Sequence, residues 1–143
     1  MATYNGVNKA IMDAITPATI LSPGKANGKV RCFIDTYVGV GTEANLETIA
    51  MGPKLPKGTK ILDMIISCDA IGGTPDVGDA KSTERYISEA ADNAIHRLDM
   101  VAGLGYEIDE ADADNLDNQI LVLLDAAVTA AGIITVVCFY TYE

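Results

Sequence analysis

The chain has 143 residues and a formal net charge of −10 at pH 7, which suits one domain that buries about two thirds of its unfolded surface without help from a metal or disulfide. So acidic a chain repels phosphate backbones, which argues against nucleic acid as a partner. The three cysteines, Cys32, Cys68 and Cys138, lack the even count of a secreted disulfide framework and the short spacing of a zinc site, so we expect buried free thiols.

Residues 1–28 are predicted to form an extended N-terminal arm that docks on a partner, followed by a single domain over residues 29–143. Through residue 31 the chain carries four basic residues against one acid, a local charge of +3, whereas the remainder carries six against nineteen, a charge of −13. The arm is rich in turn residues. Val7, Ile11 and Ile15 fall on one helical face behind Asn5, which favours a short helix within the arm.

Three strands are predicted in the first half of the domain. Lys29 to Val40 is rich in β-branched and aromatic residues, and a period of two places Val30, Cys32, Ile34, Thr36 and Val38 on one face. Leu46 to Met51 is the second strand, and the Pro- and Gly-rich segment after it is a connection. Thr59 to Ile71 is the third strand, with apolar residues on both faces, and the run Gly72 to Asp76 ends it.

The C-terminal part predicts a hairpin. Asn118 to Ala126 and Gly132 to Tyr142 are long apolar runs around a turn of small residues, and the last strand must be pinned inside a sheet because free ends fray. Thr83 to Leu98 is ambiguous. Its spacing fits a helix, but Tyr86-Ile87 and Ile95 to Val101 fit short strands around a loop equally well.

The motifs for chemistry are weak when taken one at a time. Gly39 to Ala44 matches the G-x-G-x-x-A pattern of dinucleotide-binding loops, but Gly52-Pro53 stops the next segment before a crossover helix can form, so a flexible turn is the alternative. His96 is the only histidine and no nucleophile motif accompanies it, which favours a structural role. We therefore expect no cofactor and no enzymatic activity.

The acidic run from Glu107 to Asp117 offers oxygen ligands of the type that Ca²⁺ prefers, and Asp109, Asp112 and Asp114 are weak metal candidates. The run lacks the glycine turn and distal Glu of a calcium loop, so a solvated loop without metal is expected. The apolar stretches are too short to span a membrane. The N-terminus lacks the basic start and apolar run of a signal peptide. The sequence thus predicts a soluble protein made in a cytoplasm.

A resemblance spans nearly the whole chain. It is carried by the opening MATYNGVNKAIMDAITPATILSPGKANGKVRCFIDTY, by GPKLPKGTKIL, DVGDAKSTERYI and GLGYEI, and by the ending GIITVVCFYTY. Together these resemble small virion structural proteins of tailed bacteriophages, namely capsid decoration or cement proteins. The resemblance implies an antiparallel β-sandwich of jelly-roll type on the outer capsid surface, where it ties major capsid subunits together, and it favours strands within residues 86–101.

The resemblance also implies partners, and the composition of the arm suggests contact residues. The major capsid protein is the expected partner, and self-association, as a trimer, is expected as well. An arm that orders on binding can span a subunit junction. Packing of the arm on its own or a neighbouring subunit's sheet is the alternative. The expected contact residues are Tyr4, Val7, Ile11, Ile15, Ile20, Lys25, Lys29 and Arg31.

Two other classes stay open. One is a tail or fibre component that binds Ca²⁺ or a host glycan through the acidic loop, for which metal-dependent thermal stability would be the sign. The other is a small hydrolase, which requires a pocket of convergent polar groups that no motif indicates.

Overall fold

The computed structural model describes residues 29–109 and 118–142. Seven strands and no helix occur within these ranges, and every strand pairing is antiparallel. The prediction of an all-β, antiparallel protein is therefore confirmed for this part of the chain. The strands are β1 (Val30–Gly39), β2 (Thr48–Met51), β3 (Lys60–Cys68), β4 (Pro75–Gly78), β5 (Ala94–Arg97), β6 (Ile120–Leu124) and β7 (Gly132–Thr141).

The strands form two sheets. One has four strands in the order β1-β7-β3-β5, and the other has three in the order β2-β6-β4, so each strand lies in the opposite sheet from the one before it. An isolated bridge between Val77 and Ile87 lies between β4 and β5 in the chain. β7 is a central strand, with β1 on one side and β3 on the other. This placement agrees with the expectation that the C-terminal strand is pinned.

Both sheets contribute to one hydrophobic core. In β6, and in β3 from Met64 to Cys68 and β7 from Ile134 to Cys138, every second side chain is buried, as a period of two requires when one face of a sheet is covered. The register shift between Ile61 and Asp63 interrupts this pattern in β3. The buried side chains of the two sheets join in a single cluster, which also includes residues from the intervening loops. From the strands, the cluster contains Met51, Ile61, Met64, Ile66, Cys68, Val77, Ile120, Val122, Leu124, Ile134, Val136 and Cys138.

The predicted terminal hairpin is wrong. β6 and β7 form as expected, but β6 pairs with β2 and β4, while β7 pairs with β1 and β3 in the other sheet. The connection over residues 125–131 is long enough to cross between the sheets, and Val128 is buried on the way. Apolar alternation predicts a strand but does not determine its partner, which is why the local pattern was misleading.

Two further differences concern the middle of the chain. Pro75–Gly78 is strand β4, not the turn that ends β3. The helical alternative for residues 83–98 is wrong, since Ile87 forms a bridge with Val77 and Ala94–Arg97 is strand β5. The strand interpretation that the resemblance favoured is therefore confirmed.

The three cysteines are free thiols, as expected, but they differ in exposure. Cys68 and Cys138 are buried, whereas Cys32 is exposed on β1. The expectation that all three are buried was wrong for Cys32, because the apolar face of β1 that contains it points away from the core. The arm and the acidic residues 110–117 lie outside the described residues, so the division into an arm and one domain stays a prediction.

Candidate interaction surface

The outer face of the four-stranded sheet carries exposed apolar side chains. Val30, Ile34 and Val38 on the edge strand β1 are 60–68% exposed, Ile133 on β7 is 45% exposed and Ile95 on β5 is 74% exposed. A protein interior normally takes up such β-branched residues. An extended apolar area at the surface marks a contact site for another macromolecule.

The register brings these side chains into rows across the sheet. Ile34 lies opposite Val137, which in turn lies opposite Ile65 on β3. In the next row the hydroxyl groups of Thr36 and Thr135 are 3.2 Å apart and form a hydrogen bond. The apolar residues of β1 therefore continue a surface that reaches the middle of the sheet.

The inward side of β1 explains why its apolar residues face outward. Phe33, Asp35 and Tyr37 alternate with the exposed residues and are half-buried. The Phe33 ring packs over Gly52, where a Cβ atom would lie 2.3 Å from a ring carbon. Asp35 Oδ2 accepts the N–H of the same glycine at 2.7 Å. These contacts fix the strand's rotation and leave Val30, Ile34 and Val38 on the outside.

The charged residues at this sheet are few. Arg97 Nε donates to Asp63 Oδ2 at 2.7 Å, and this guanidinium hydrogen bond lowers the pKa of Asp63. Lys29 is exposed just before β1. The Arg31 guanidinium lies 5.8 Å from the centre of the Tyr142 ring, within the range of a cation–π contact. Arg31 is thus at the sheet end, on the opposite side of β1 from Val30 and Ile34.

The loop that matches the dinucleotide pattern is filled by the chain itself. The Glu43 carboxylate accepts the backbone N–H groups of Val40, Gly41 and Thr42 at 2.8–3.0 Å, and the Tyr37 hydroxyl at 2.8 Å. A dinucleotide-binding loop directs such N–H groups at pyrophosphate. In this protein the Glu43 carboxylate already accepts these N–H groups, so they are not available to bind a pyrophosphate. The loop is therefore a fixed turn, and it does not form a dinucleotide site.

Several other carboxylates also hold loops together. Asp92 accepts the N–H groups of Ile71 and Gly72, and Asp69 accepts that of Ile133. Asp79 accepts the N–H groups of Lys81 and Ser82 and pairs with the Arg85 guanidinium. Several of the acidic residues therefore serve the fold, a role that the charge count alone did not indicate.

The geometry of the described residues does not support the metal and catalytic candidates. Within residues 29–109 and 118–142, no three His, Cys, Asp or Glu side chains gather as a metal site would require. Asp109 is exposed, and Asp112 and Asp114 lie outside the described residues. His96 Nε2 accepts the N–H of Ala91 at 2.8 Å, which is a structural contact. The described part of the chain contains no apolar helix of membrane-spanning length.

Of the eight expected contact residues, the structure describes Lys29 and Arg31, which are exposed and adjacent to the start of β1. Tyr4, Val7, Ile11, Ile15, Ile20 and Lys25 lie outside the described residues. The exposed face of β1 was visible in the sequence as the alternating set from Val30 to Val38. The sequence reading did not identify it as the outer face, because alternation alone does not say which side is buried.

Comparison with known proteins gives a fold but no family. No family model matches the chain, and no curated protein matches it. Among solved structures it is similar to a chain of the cyanophage Pam1 capsid asymmetric unit, with a TM-score of 0.67, 22% identity, and coverage of 90% of this chain and 96% of that one. The two chains therefore share a fold over nearly their whole lengths.

Two weaker likenesses have TM-scores below 0.5. One is to the coat protein of Tobacco streak virus, at a TM-score of 0.36 and 16% identity over 78% of this chain and 88% of that one. The other is to the disulfide-linked pili of Bacillus endospore appendages, at 0.32 and 13% over 87% and 100%.

Proposed function

We propose that this protein is a structural component of a phage virion that decorates the outer capsid surface and stabilises contacts between major capsid subunits. The observation that carries the proposal is the exposed apolar outer face of the four-stranded sheet. The fold shared with a chain of the cyanophage Pam1 capsid asymmetric unit supports the virion setting. The decorating role follows from the sequence resemblance and from the exposed face, which is suited to adhesion.

The strand order supports a jelly-roll-like sandwich. A jelly roll has eight strands in two packed sheets, with Greek-key connections. Here the first strand lies beside the last, and the last lies beside the third. The bridge of Ile87 to Val77 on β4 supplies the position of an eighth strand at the end of the three-stranded sheet. These features support the proposal that the two sheets form a jelly-roll-like sandwich.

Attachment uses two regions in this proposal. The apolar face of β1 and β7 packs on the capsid, where removing its exposed Val and Ile side chains from water favours binding. The arm, which precedes β1, contributes its apolar side chains and Lys25, while Lys29 and Arg31 face acidic capsid surface. Linked contacts raise each other's effective concentration, so several modest contacts to different subunits hold firmly.

The test is co-sedimentation of the purified protein with capsids of its own phage that lack it. Saturable binding at a fixed ratio to the major capsid protein is expected. Ile34→Asp places a charge in the exposed apolar face and should weaken binding by about tenfold or more, whereas Thr48→Asp, at an exposed position in the other sheet, should not. Absence of binding by the unmodified protein would overturn the capsid assignment and leave a tail or fibre role.

A further inference from the structure

Among residues 29–109 and 118–142, β1 is the sheet edge that is neither short, bulged nor covered. It runs for ten residues and pairs one-to-one with β7 without a bulge. The other three edge strands, β2, β4 and β5, have four residues each. β4 begins with Pro75, and Val77 exchanges backbone hydrogen bonds with Ile87 at 2.8 and 3.1 Å, so the segment after β4 covers its free edge. Soluble proteins shorten, bulge or cover edges because an open edge pairs with another strand.

The backbone groups on the open side of β1 can be identified. Ile133 on β7 donates its N–H to Asp69 Oδ2 at 2.9 Å, and its carbonyl accepts the N–H of Asp69 at 3.0 Å. Ile133 is thus turned away from β1. Val38 and Ile133 therefore form a non-hydrogen-bonded pair, and the backbone N–H and C=O of Val38 point to the open side of β1. The same holds for every second residue before Val38, namely Thr36, Ile34, Cys32 and Val30. The outward N–H of Thr36 is held by Asp35 Oδ1 at 2.8 Å, in agreement with this assignment.

We propose that β1 of a second copy of this chain pairs antiparallel with this edge about a two-fold axis at Phe33. Cys32 of one copy then lies opposite Ile34 of the other, and Val30 opposite Thr36, which forms about eight backbone hydrogen bonds. This pairing does not rest on the capsid function. It makes one continuous sheet whose apolar outer faces adjoin.

Charge selects the register. With Phe33 on the axis, Arg31 of each copy lies opposite Asp35 of the other, and two cross-strand pairs of opposite charge form. A register in which Asp35 of one copy lies opposite Asp35 of the other would bring two negative charges together and is disfavoured. Asp35 Oδ1 exchanges the Thr36 N–H for the guanidinium, while Oδ2 keeps the N–H of Gly52. A two-fold edge predicts a dimer, in contrast to the trimer that the sequence resemblance implies.

Cysteine crosslinking tests the register in the full-length chain. In Ile34→Cys, the introduced thiol lies opposite the native Cys32 of the second copy, at a separation that suits a disulfide. Mild oxidation should give a covalent dimer, and peptide mapping should find the bond between positions 32 and 34. Thr48→Cys, also exposed on an edge strand, is the matched control and should stay uncrosslinked.

A charge variant tests the pairing independently. Arg31→Asp puts two like-charged pairs across the axis and should raise the dimer dissociation constant about tenfold or more, measured by light scattering across a dilution series. Lys54→Asp makes the same charge change at an exposed loop position and should leave the constant within about twofold. A monomer, a trimer, or a dimer without the 32–34 disulfide would overturn the proposal.

Discussion

Glu43 is a buried carboxylate held by three backbone N–H groups and the Tyr37 hydroxyl. These donors stabilise the charged form, with the Val40 N–H as the largest contribution, and lower the pKa of Glu43 from 4.5 to about 2. The folded state therefore binds this proton less readily than the unfolded state. Its contribution to the free energy of unfolding is complete above pH 4.5 and is lost as the pH falls towards 2.

Glu43→Gln should lower the free energy of unfolding at pH 7, because an amide cannot accept all of these N–H groups. The difference from the unmodified protein should shrink as the pH falls from 4.5 to 2, where the wild-type carboxylate is itself being protonated. Urea unfolding at a series of pH values measures the difference. Glu47→Gln, at an exposed position in the same loop, is the control. A difference that is constant with pH would contradict the role given to the Glu43 charge.

The pair Arg85–Asp79 lies in the loop after β4. Asp79 is 1% exposed at its side chain, and Arg85, at 14%, packs over the Tyr106 ring at 4.0 Å from its centre. Removing one partner of a buried pair leaves an uncompensated charge. Arg85→Met should therefore lower the free energy of unfolding by about 3 kcal/mol, as measured by urea denaturation.

Arg97→Met is the matched control, because Arg97 also pairs with an aspartate but is 74% exposed. Its loss should change stability by less than about 1 kcal/mol. If both substitutions lowered the free energy of unfolding equally, burial would not be the reason that the Arg85–Asp79 pair stabilises the fold.

At the scale of elements, β4 depends on the close approach of its covering loop. A Cβ at Gly78 would lie 2.0 Å from the Ser82 carbonyl oxygen, whereas one at Gly39 would meet its nearest neighbours at 3.4 Å. Gly78→Ala should lower the free energy of unfolding by about 1–3 kcal/mol through overpacking. Gly39→Ala should change it by about 0.5 kcal/mol at most. Thermal unfolding of both variants measures the difference. Equal melting temperatures would contradict the close approach of the Ser82 carbonyl to Gly78.

The same strand shows where sequence patterns stop being informative. β1, β3 and β7 were predictable because each is a run of nine or ten residues rich in β-branched and other apolar side chains. β4 is short, begins with proline and is buried at all four positions, so no alternation exists to detect. The sheet to which β6 and β7 belong was not predictable either, since their pairing depends on long-range contacts. The outward direction of the β1 apolar face depends on Phe33 packing on Gly52, which the sequence alone does not reveal.

For the whole molecule, the thiols report on the integrity of the core. Burial raises the pKa of Cys68 to about 11 and that of Cys138 to about 12, so both are protonated and shielded at pH 8. One thiol per chain, Cys32, should react with a disulfide reagent in the native protein, and three should react in denaturant. Cys32→Ser should abolish the fast reaction. Fast labelling of more than one thiol would contradict the burial of Cys68 and Cys138 in the hydrophobic core.

Deletion of residues 1–28 separates folding from attachment at the scale of the whole molecule. All core side chains that the structure describes lie between Met51 and Cys138, so the shortened chain should fold with a free energy of unfolding within about 0.5 kcal/mol of the full chain. If the arm contacts capsid subunits as proposed, capsid binding should fall steeply, because one of the linked contacts is lost. Urea unfolding and co-sedimentation measure the two quantities on the same preparation. If the shortened chain folds and binds capsids unchanged, the arm does not contribute to attachment, and the outer face of β1 and β7 is the remaining attachment surface. Ile34→Asp in the shortened chain then tests that surface, because it should abolish the remaining binding.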